Sequence, residues 1–329
     1  MASPTLPDEL VPEILCHIIP SRLHTTQALK RAQWDDINNL SLTSRLFRRA
    51  AFSCWFYSVF VRQPSDWDTI ETFPPVDLIN IISRLHVFPP ALDPKGLARM
   101  ARYTRLKYLS VNVHIVWSEA LDSPHRYFIR DLVQYLPSSL IELEVSCMPP
   151  EQCEPNLLSL LSVACPSLQR LGFYSASNKC IACVEEITLP FPIPEQFTNA
   201  TDLADAFATS LSSLKSLRSL TLPIHLSHAD IYVMHLSGGH PLRRSFNGND
   251  CPRCVAEFGL STQENEQTVA DRLGETLPGL EKICFATWVY GNGKGGMPFT
   301  RSITGDGKMN RGNVSPYAET QQLDGGPLV

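Results

Sequence analysis

Two pairs of cysteines have the C-x-x-C spacing, Cys180-Ile181-Ala182-Cys183 and Cys251-Pro252-Arg253-Cys254. That spacing lets two thiolates reach one tetrahedral zinc ion. Four histidines, His225, His228, His235 and His240, lie just upstream of the second pair. Both cysteine pairs together would make a site of four thiolates, although 67 residues separate Cys183 from Cys251. Cys251 and Cys254 with His225 and His228 would make a site of two thiolates and two imidazoles, although the histidines come first and 22 residues intervene. A loop of little apolar content would gain order from a metal, so a structural zinc is the one cofactor the sequence suggests. The plainer alternative is a set of surface histidines and a capping turn. A thiol–disulfide role for Cys251 and Cys254 ranks lower. A strand should precede such a motif, and Asn247-Gly248-Asn249-Asp250 reads as a turn.

Other chemistry is sparse. Gly291-Asn292-Gly293-Lys294-Gly295-Gly296 matches G-x-G-x-x-G. A dinucleotide site needs a helix next, so that the helix N-terminus can hold the pyrophosphate. Met297-Pro298-Phe299 follows instead, and the segment reads as a flexible loop. No nucleophile elbow, H-E-x-x-H or Ser/His/Asp grouping is apparent. The expectation is a chain that does no chemistry itself.

The elements around these residues belong to a globular chain. It has 329 residues, 43% hydrophobic and 19% charged, enough for one or two domains with a sizeable core. A net charge of −5 leaves no basic footprint for nucleic acid or for a membrane surface. No apolar run is long enough to span a bilayer. Asp8 and Glu9 stand where a signal peptide would carry positive charge. The expected location is therefore the cytoplasm or nucleus. The 10 cysteines would there be reduced thiols, and the sequons at Asn199 and Asn313 chance matches.

At the N-terminus, Leu6 to Leu10 predicts a short turn, and a helix is expected to start at about Pro12. Proline suits the first helical turn, and Glu13 suits the helix dipole. Ile14, Leu15, Ile18 and Ile19 would share one face, and Pro20 would end the run. Ser44 reads as the N-cap of a second helix running to about Ala51. Such short helices cannot bury their own faces without a partner surface. Leu6-Pro7-x-Glu9-Leu10, Glu13-Ile14-Leu15 and Leu40-Ser41-Leu42-x-Ser44-Arg45-x-Phe47-Arg48 together resemble an F-box. The segment from Pro20 to Trp34 is longer than is usual between the two halves of that motif. The resemblance implies docking on a Skp-type adaptor through Leu6, Pro7, Leu10, Ile14, Leu15, Leu40, Leu42 and Phe47.

Further on, one pattern recurs. Leu106 to Val111, Leu140 to Val145, Leu168 to Phe173, Leu217 to Leu222 and Leu280 to Phe285 all have the form L-x-x-L-x-L in apolar character. Ile82 to Val87 is a looser copy, and Val184 to Leu189 a further candidate. Alternating apolar positions predict half-buried strands. Helical stretches precede most copies, at about 94–103, 127–136, 156–164, 202–214 and 268–277. The copies start at 82, 106, 140, 168, 184, 217 and 280, so the steps are 24, 34, 28, 16, 33 and 63. The longest step must hold an insertion. Helix, turn and strand at such spacing predict a solenoid. The copies resemble irregular leucine-rich repeats, in the style of fungal F-box proteins.

The expected fold is thus α/β. An F-box-like helical module over 1–62 and a linker over 63–80 lead into a solenoid over 81–290, with parallel strands on one side and helices on the other. An insertion falls at about 224–266, and 291–329 is expected to be a flexible tail. The resemblance implies the substrate-recognition subunit of a cullin-type ubiquitin ligase. The adaptor would link the chain to the cullin, and the solenoid would hold a target protein. The target face would use exposed strand positions Tyr108, Ser110, Asn112, Glu142, Glu144, Arg170, Tyr174, Ser219, Thr221 and Lys282, since Tyr and Arg are frequent hot spots. The rival is a repeat scaffold with no ligase role, its N-terminal helices only capping the repeats. The cap predicts Leu6 and Ile14 packed inward; the adaptor site predicts them exposed.

Overall fold

The computed structural model describes residues 10–18, 34–72, 78–113, 128–146, 154–174, 192–228, 231, 234, 251–285, 299–303 and 309–311. Three helices come first: α1 (Leu10–Ile18), α2 (Trp34–Thr43) and α3 (Arg45–Trp55). Ser44 caps α3 with extended backbone, and its hydroxyl accepts from the Phe47 amide at 3.2 Å. The helix start at Leu10 rather than Pro12 leaves Pro12 in the first turn, where a missing N–H costs nothing. Val11 and Leu15 of α1, Ile37 of α2 and Ala50, Ala51 and Phe52 of α3 make a small core of their own.

Among the described residues, the main body is one nine-stranded sheet in chain order. Its strands are β1 (Ser58–Val61), β2 (Arg84–Val87), β3 (Tyr108–Asn112), β4 (Glu142–Ser146), β5 (Arg170–Tyr174), β6 (Ser219–Leu222), β7 (Lys282–Phe285), β8 (Phe299–Ile303) and β9 (Met309–Arg311). β1 to β7 are all parallel; β8 and β9 add antiparallel. Between the parallel strands run α4 (Pro64–Glu71), α5 (Pro94–Met100), α6 (Phe128–Val133), α7 (Pro155–Ala164), α8 (Ala200–Leu211) and α9 (Pro252–Thr276).

Side-chain register follows from the recurrent pattern. Leu85, Leu109, Leu143, Leu171, Leu220 and Ile283 pair strand to strand and are all buried. The apolar residue two places on, from Val87 to Phe285, is buried in each copy. So is the first residue of each, from Ile82 to Leu280. That first residue sits just outside the strand, at the end of a turn. Leu106, Leu140, Leu168, Leu217 and Leu280 each donate their amide to the carbonyl three residues earlier, at 2.9–3.2 Å. A second regularity sets the spacing of the strands. Lys107 and Tyr108 both donate to the Ser83 carbonyl, and the same forked bond recurs from Ile141 and Glu142 to Lys107, and from Gln169 and Arg170 to Ile141. One contiguous core lies between this face and the helices.

Several expected boundaries shift. Residues 64–71, expected within a linker, form α4. Pro64 supplies a preset φ for the first helical position, and Asp66 accepts from the Gln63 amide to close a capping box. The stretch 252–266, expected within an insertion, is the first part of the 25-residue α9. Residues 299–303 and 309–311, both expected within a flexible tail, are β8 and β9, which pair on the edge β7 would otherwise leave open. The Val184 copy lies outside the described residues. No helix among the described residues is long and apolar enough to cross a membrane.

Candidate interaction surfaces

The N-terminal unit is held together locally. The helices α2 and α3 meet at Ser44, and the Arg48 side chain donates Nε–H to the Ser41 carbonyl at 3.0 Å, closing one of the open carbonyls at the end of α2. Ser41 and Thr43 donate their hydroxyls to the carbonyls of Asn38 and Leu40. Leu10 and Ile14 of α1 remain 42% and 38% exposed, and Leu42 of α2 is 65% exposed. Leu40 and Phe47 are partly buried against the core of the unit. Leu15, expected at the adaptor contact, is fully buried within it and supports the unit. Val11 shares that role, four residues before Leu15 and on the same helix face. Leu6 and Pro7 lie outside the described residues.

The second surface is the sheet face opposite the helix layer. Across β1 to β4 its side chains interlock. The Phe60 and His86 rings stack at 4.3 Å and 5°, and His86 meets Tyr108 at 5.1 Å. The Arg84 guanidinium lies 3.7 Å over the Tyr108 ring. The Tyr108 hydroxyl donates to Glu144 at 2.5 Å. Burial, together with the Glu144 carboxylate beside it, holds the Tyr108 hydroxyl far above the usual phenol range. Next to this cluster, Arg170 pairs with Glu142 across adjacent strands at 3.1 Å. Tyr174 folds its ring back over Gly172, where a β-carbon would touch it.

The expected face is therefore only partly open. Tyr108, Ser110 and Asn112 are buried, because His86, Arg84 and Glu144 on the flanking strands fill the space around the first two of them. Arg170 is well exposed, and Glu142, Glu144, Tyr174, Ser219, Thr221 and Lys282 are half-buried. Phe60, on a strand the repeat pattern does not mark, is 46% exposed and belongs to the same face. Arg84 and His86 join it as well. Their signal was present in Arg84-Leu85-His86-Val87, where polar and apolar residues alternate.

The candidate metal ligands divide. His225 is fully buried after β6, and burial pushes its imidazole down to about 4. His228 is exposed, with its ring 6.1 Å from Phe258. Cys251 and Cys254 stand at the start of α9, both buried, in a small cluster with Ile231 and Phe258. Burial, with Cys251 beside it, pushes the Cys254 thiol up to about 12. Among the described residues, no three His, Cys, Asp or Glu side chains converge as metal ligands. Cys180, Cys183, His235 and His240 lie outside them.

Two polar contacts tie α9 to the segment after β6. The Thr262 and Ser227 hydroxyls are 2.8 Å apart, and Asn265 donates to the Leu226 carbonyl at 2.9 Å. In comparisons with known proteins, no family model matches the chain and no curated protein matches it.

Proposed function

We propose that the chain is the substrate-recognition subunit of a cullin-type ubiquitin ligase, with α1 to α3 as an F-box and the following strands and helices as irregular leucine-rich repeats. One observation carries the reading. A three-helix unit with its own core leaves Leu10, Ile14 and Leu42 exposed, all of them positions at which the F-box resemblance expects contact with a Skp-type adaptor. Large exposed apolar side chains gathered on a small unit mark a partner surface. The regular parallel sheet supports the second half of the reading, since each helix–turn–strand unit repeats the same buried positions and the same turn. Its half-open face, with Phe60, Arg170 and Tyr174, offers the residue types that anchor protein interfaces. On this reading the ligase gains proximity from the chain, which holds a target lysine near the loaded conjugating enzyme.

Co-expression with a Skp-type adaptor tests this directly. The wild-type chain should co-purify with the adaptor at one to one through size exclusion. Ile14→Asp with Leu42→Asp should abolish the complex and leave the circular dichroism and melting of the chain unchanged, since both side chains already face solvent. A folded wild-type chain that ignores the adaptor overturns the reading. The scaffold reading also has an observation in its favour, because Phe56 packs on both the small core and the main core. Under that reading the double variant would change nothing.

A further inference from the structure

The two cysteines at the head of α9 have no part in that reading, and their placement suggests a use for them. Cys251 is the N-cap of α9, Pro252 is its first residue, and Cys254 lies three residues after the cap. One helical turn holds both residues, and both belong to the same small buried cluster, so the two side chains are near neighbours. Both are reduced, and both sit in a small apolar cluster with Ile231 and Phe258, apart from the main core. Cys251 retains 8% exposure at the very start of the helix, while Cys254 retains 1%. In the sequence, the turn before the motif speaks against a thiol–disulfide role. The helix N-terminus supplies what the missing strand does not: two thiols held within one turn, one outer and one inner.

The geometry points to Cys251 and Cys254 as a redox-sensitive dithiol that closes into a disulfide across the first turn of α9 when the protein meets a small-molecule disulfide. The step is two successive exchanges. The Cys251 thiolate attacks one sulfur of the small disulfide, forms a mixed disulfide, and releases one small thiolate. Cys254 then gives its proton to solvent, and its sulfur attacks that of Cys251, releasing the second small thiolate. Two protein thiols are oxidised, one external disulfide is reduced to two thiols, and no other reactant is needed. The roles follow exposure: the outer sulfur takes the external partner, and the inner one resolves it. Closure ties the cap of α9 to its first turn, next to the segment holding His228 and Ile231. Oxidation therefore stabilises the head of the helix that packs along α8. This inference stands apart from any adaptor binding.

The test uses the full chain at rising ratios of oxidised to reduced glutathione, quenched in acid, alkylated and mapped by mass spectrometry. Cys251 and Cys254 should lose alkylation together and appear joined within one peptide. Cys165 and Cys284, buried in the body of the protein, should stay reduced throughout and serve as internal references. In Cys254→Ser the reaction should stop at a glutathione adduct on Cys251. In the wild-type protein, alkylation of both cysteines at every ratio would overturn the proposal, as would a disulfide from either one to any other cysteine. Protection that a chelator removes and a reductant does not would also overturn it, in favour of a bound metal. The wild-type map decides the matter even if the variant fails to fold.

Discussion

His225 couples folding to acid. Its imidazole is fully buried, and burial lowers its pKa from an ordinary 6.5 to about 4. The unfolded chain therefore binds a proton in the window between those values that the folded chain does not. The stabilising contribution is complete above about 6.5 and is lost as pH falls toward 4. Denaturant midpoints should drop across that window by the equivalent of a few kcal/mol, roughly 1.4 kcal/mol for each pH unit between the two values. His225→Gln should flatten the slope; an unchanged slope would move the effect to another group. Asn199 shows how a sequence signal acquires a different meaning in the fold. In the sequence it opens a sequon; in the fold its side-chain oxygen accepts from the amides of Thr201 and Asp202 at 2.9 Å and caps α8. Asn199→Ala should cost about 1 kcal/mol in chemical denaturation, and Asn199→Asp much less. Among the candidate site residues, the sequence does not separate Leu15, which the unit's own core takes, from Leu10, Ile14 and Leu42, which stay exposed. Nor does it show the burial of Tyr108, because alternation predicts which face a side chain takes but not whether neighbours such as Arg84 and Glu144 will close over it.

Within single elements the recurrent strands were the most legible, since buried Leu, Ile and Val at fixed spacing leave a period-two trace that polar residues do not blur. β1 stands outside the recurrent copies because Phe56, not leucine or isoleucine, lies three places ahead of Val59, but the aromatic and β-branched run Cys54 to Val61 still reads as a connecting strand or buried segment. The length of α9 escaped the local pattern. Its buried stripe runs through Cys254, Phe258, Thr262, Glu266, Val269 and Leu273, and two polar residues in the middle of it break the apolar pattern. The burial of Thr262 is compensated by the Ser227 hydroxyl in the segment after β6, which no local pattern records. Two glycines separate a packing constraint from a soft one. A β-carbon at Gly96 in α5 would fall on the Ala91 carbonyl oxygen, which also accepts from the Trp67 indole at 3.0 Å. Gly96→Ala should therefore destabilise by about 1–3 kcal/mol. At Gly172 the added carbon meets only the swinging ring of Tyr174, and Gly172→Ala should be tolerated, with the ring displaced. Leu143→Ala, in the middle of the sheet, should cost about 2–5 kcal/mol. Equal midpoints for Gly96→Ala and Gly172→Ala would contradict this packing account.

Among the described residues, the helical core and the main core meet at Phe56, a third small cluster lies at the head of α9, and two surfaces have different characters. The small helical unit presents exposed aliphatic side chains and few constraints around them. The sheet presents a face already knitted by stacking, hydrogen bonds and the Glu142–Arg170 pair. A surface of the first kind suits a constant partner that buries apolar area; one of the second kind discriminates through shape and paired polar groups. Such a division would suit the proposed substrate receptor, and that proposal turns on the adaptor contact. The decisive measurement is a calorimetric titration of the purified chain with a purified Skp-type adaptor, wild type against Leu42→Asp. A substrate receptor should show saturable one-to-one binding with a negative heat-capacity change from buried apolar surface. Leu42→Asp should weaken the affinity by about 30-fold or more, the mark of a hot spot worth about 2 kcal/mol. No binding by the folded wild-type chain, or equal affinity for Leu42→Asp, would contradict the receptor role.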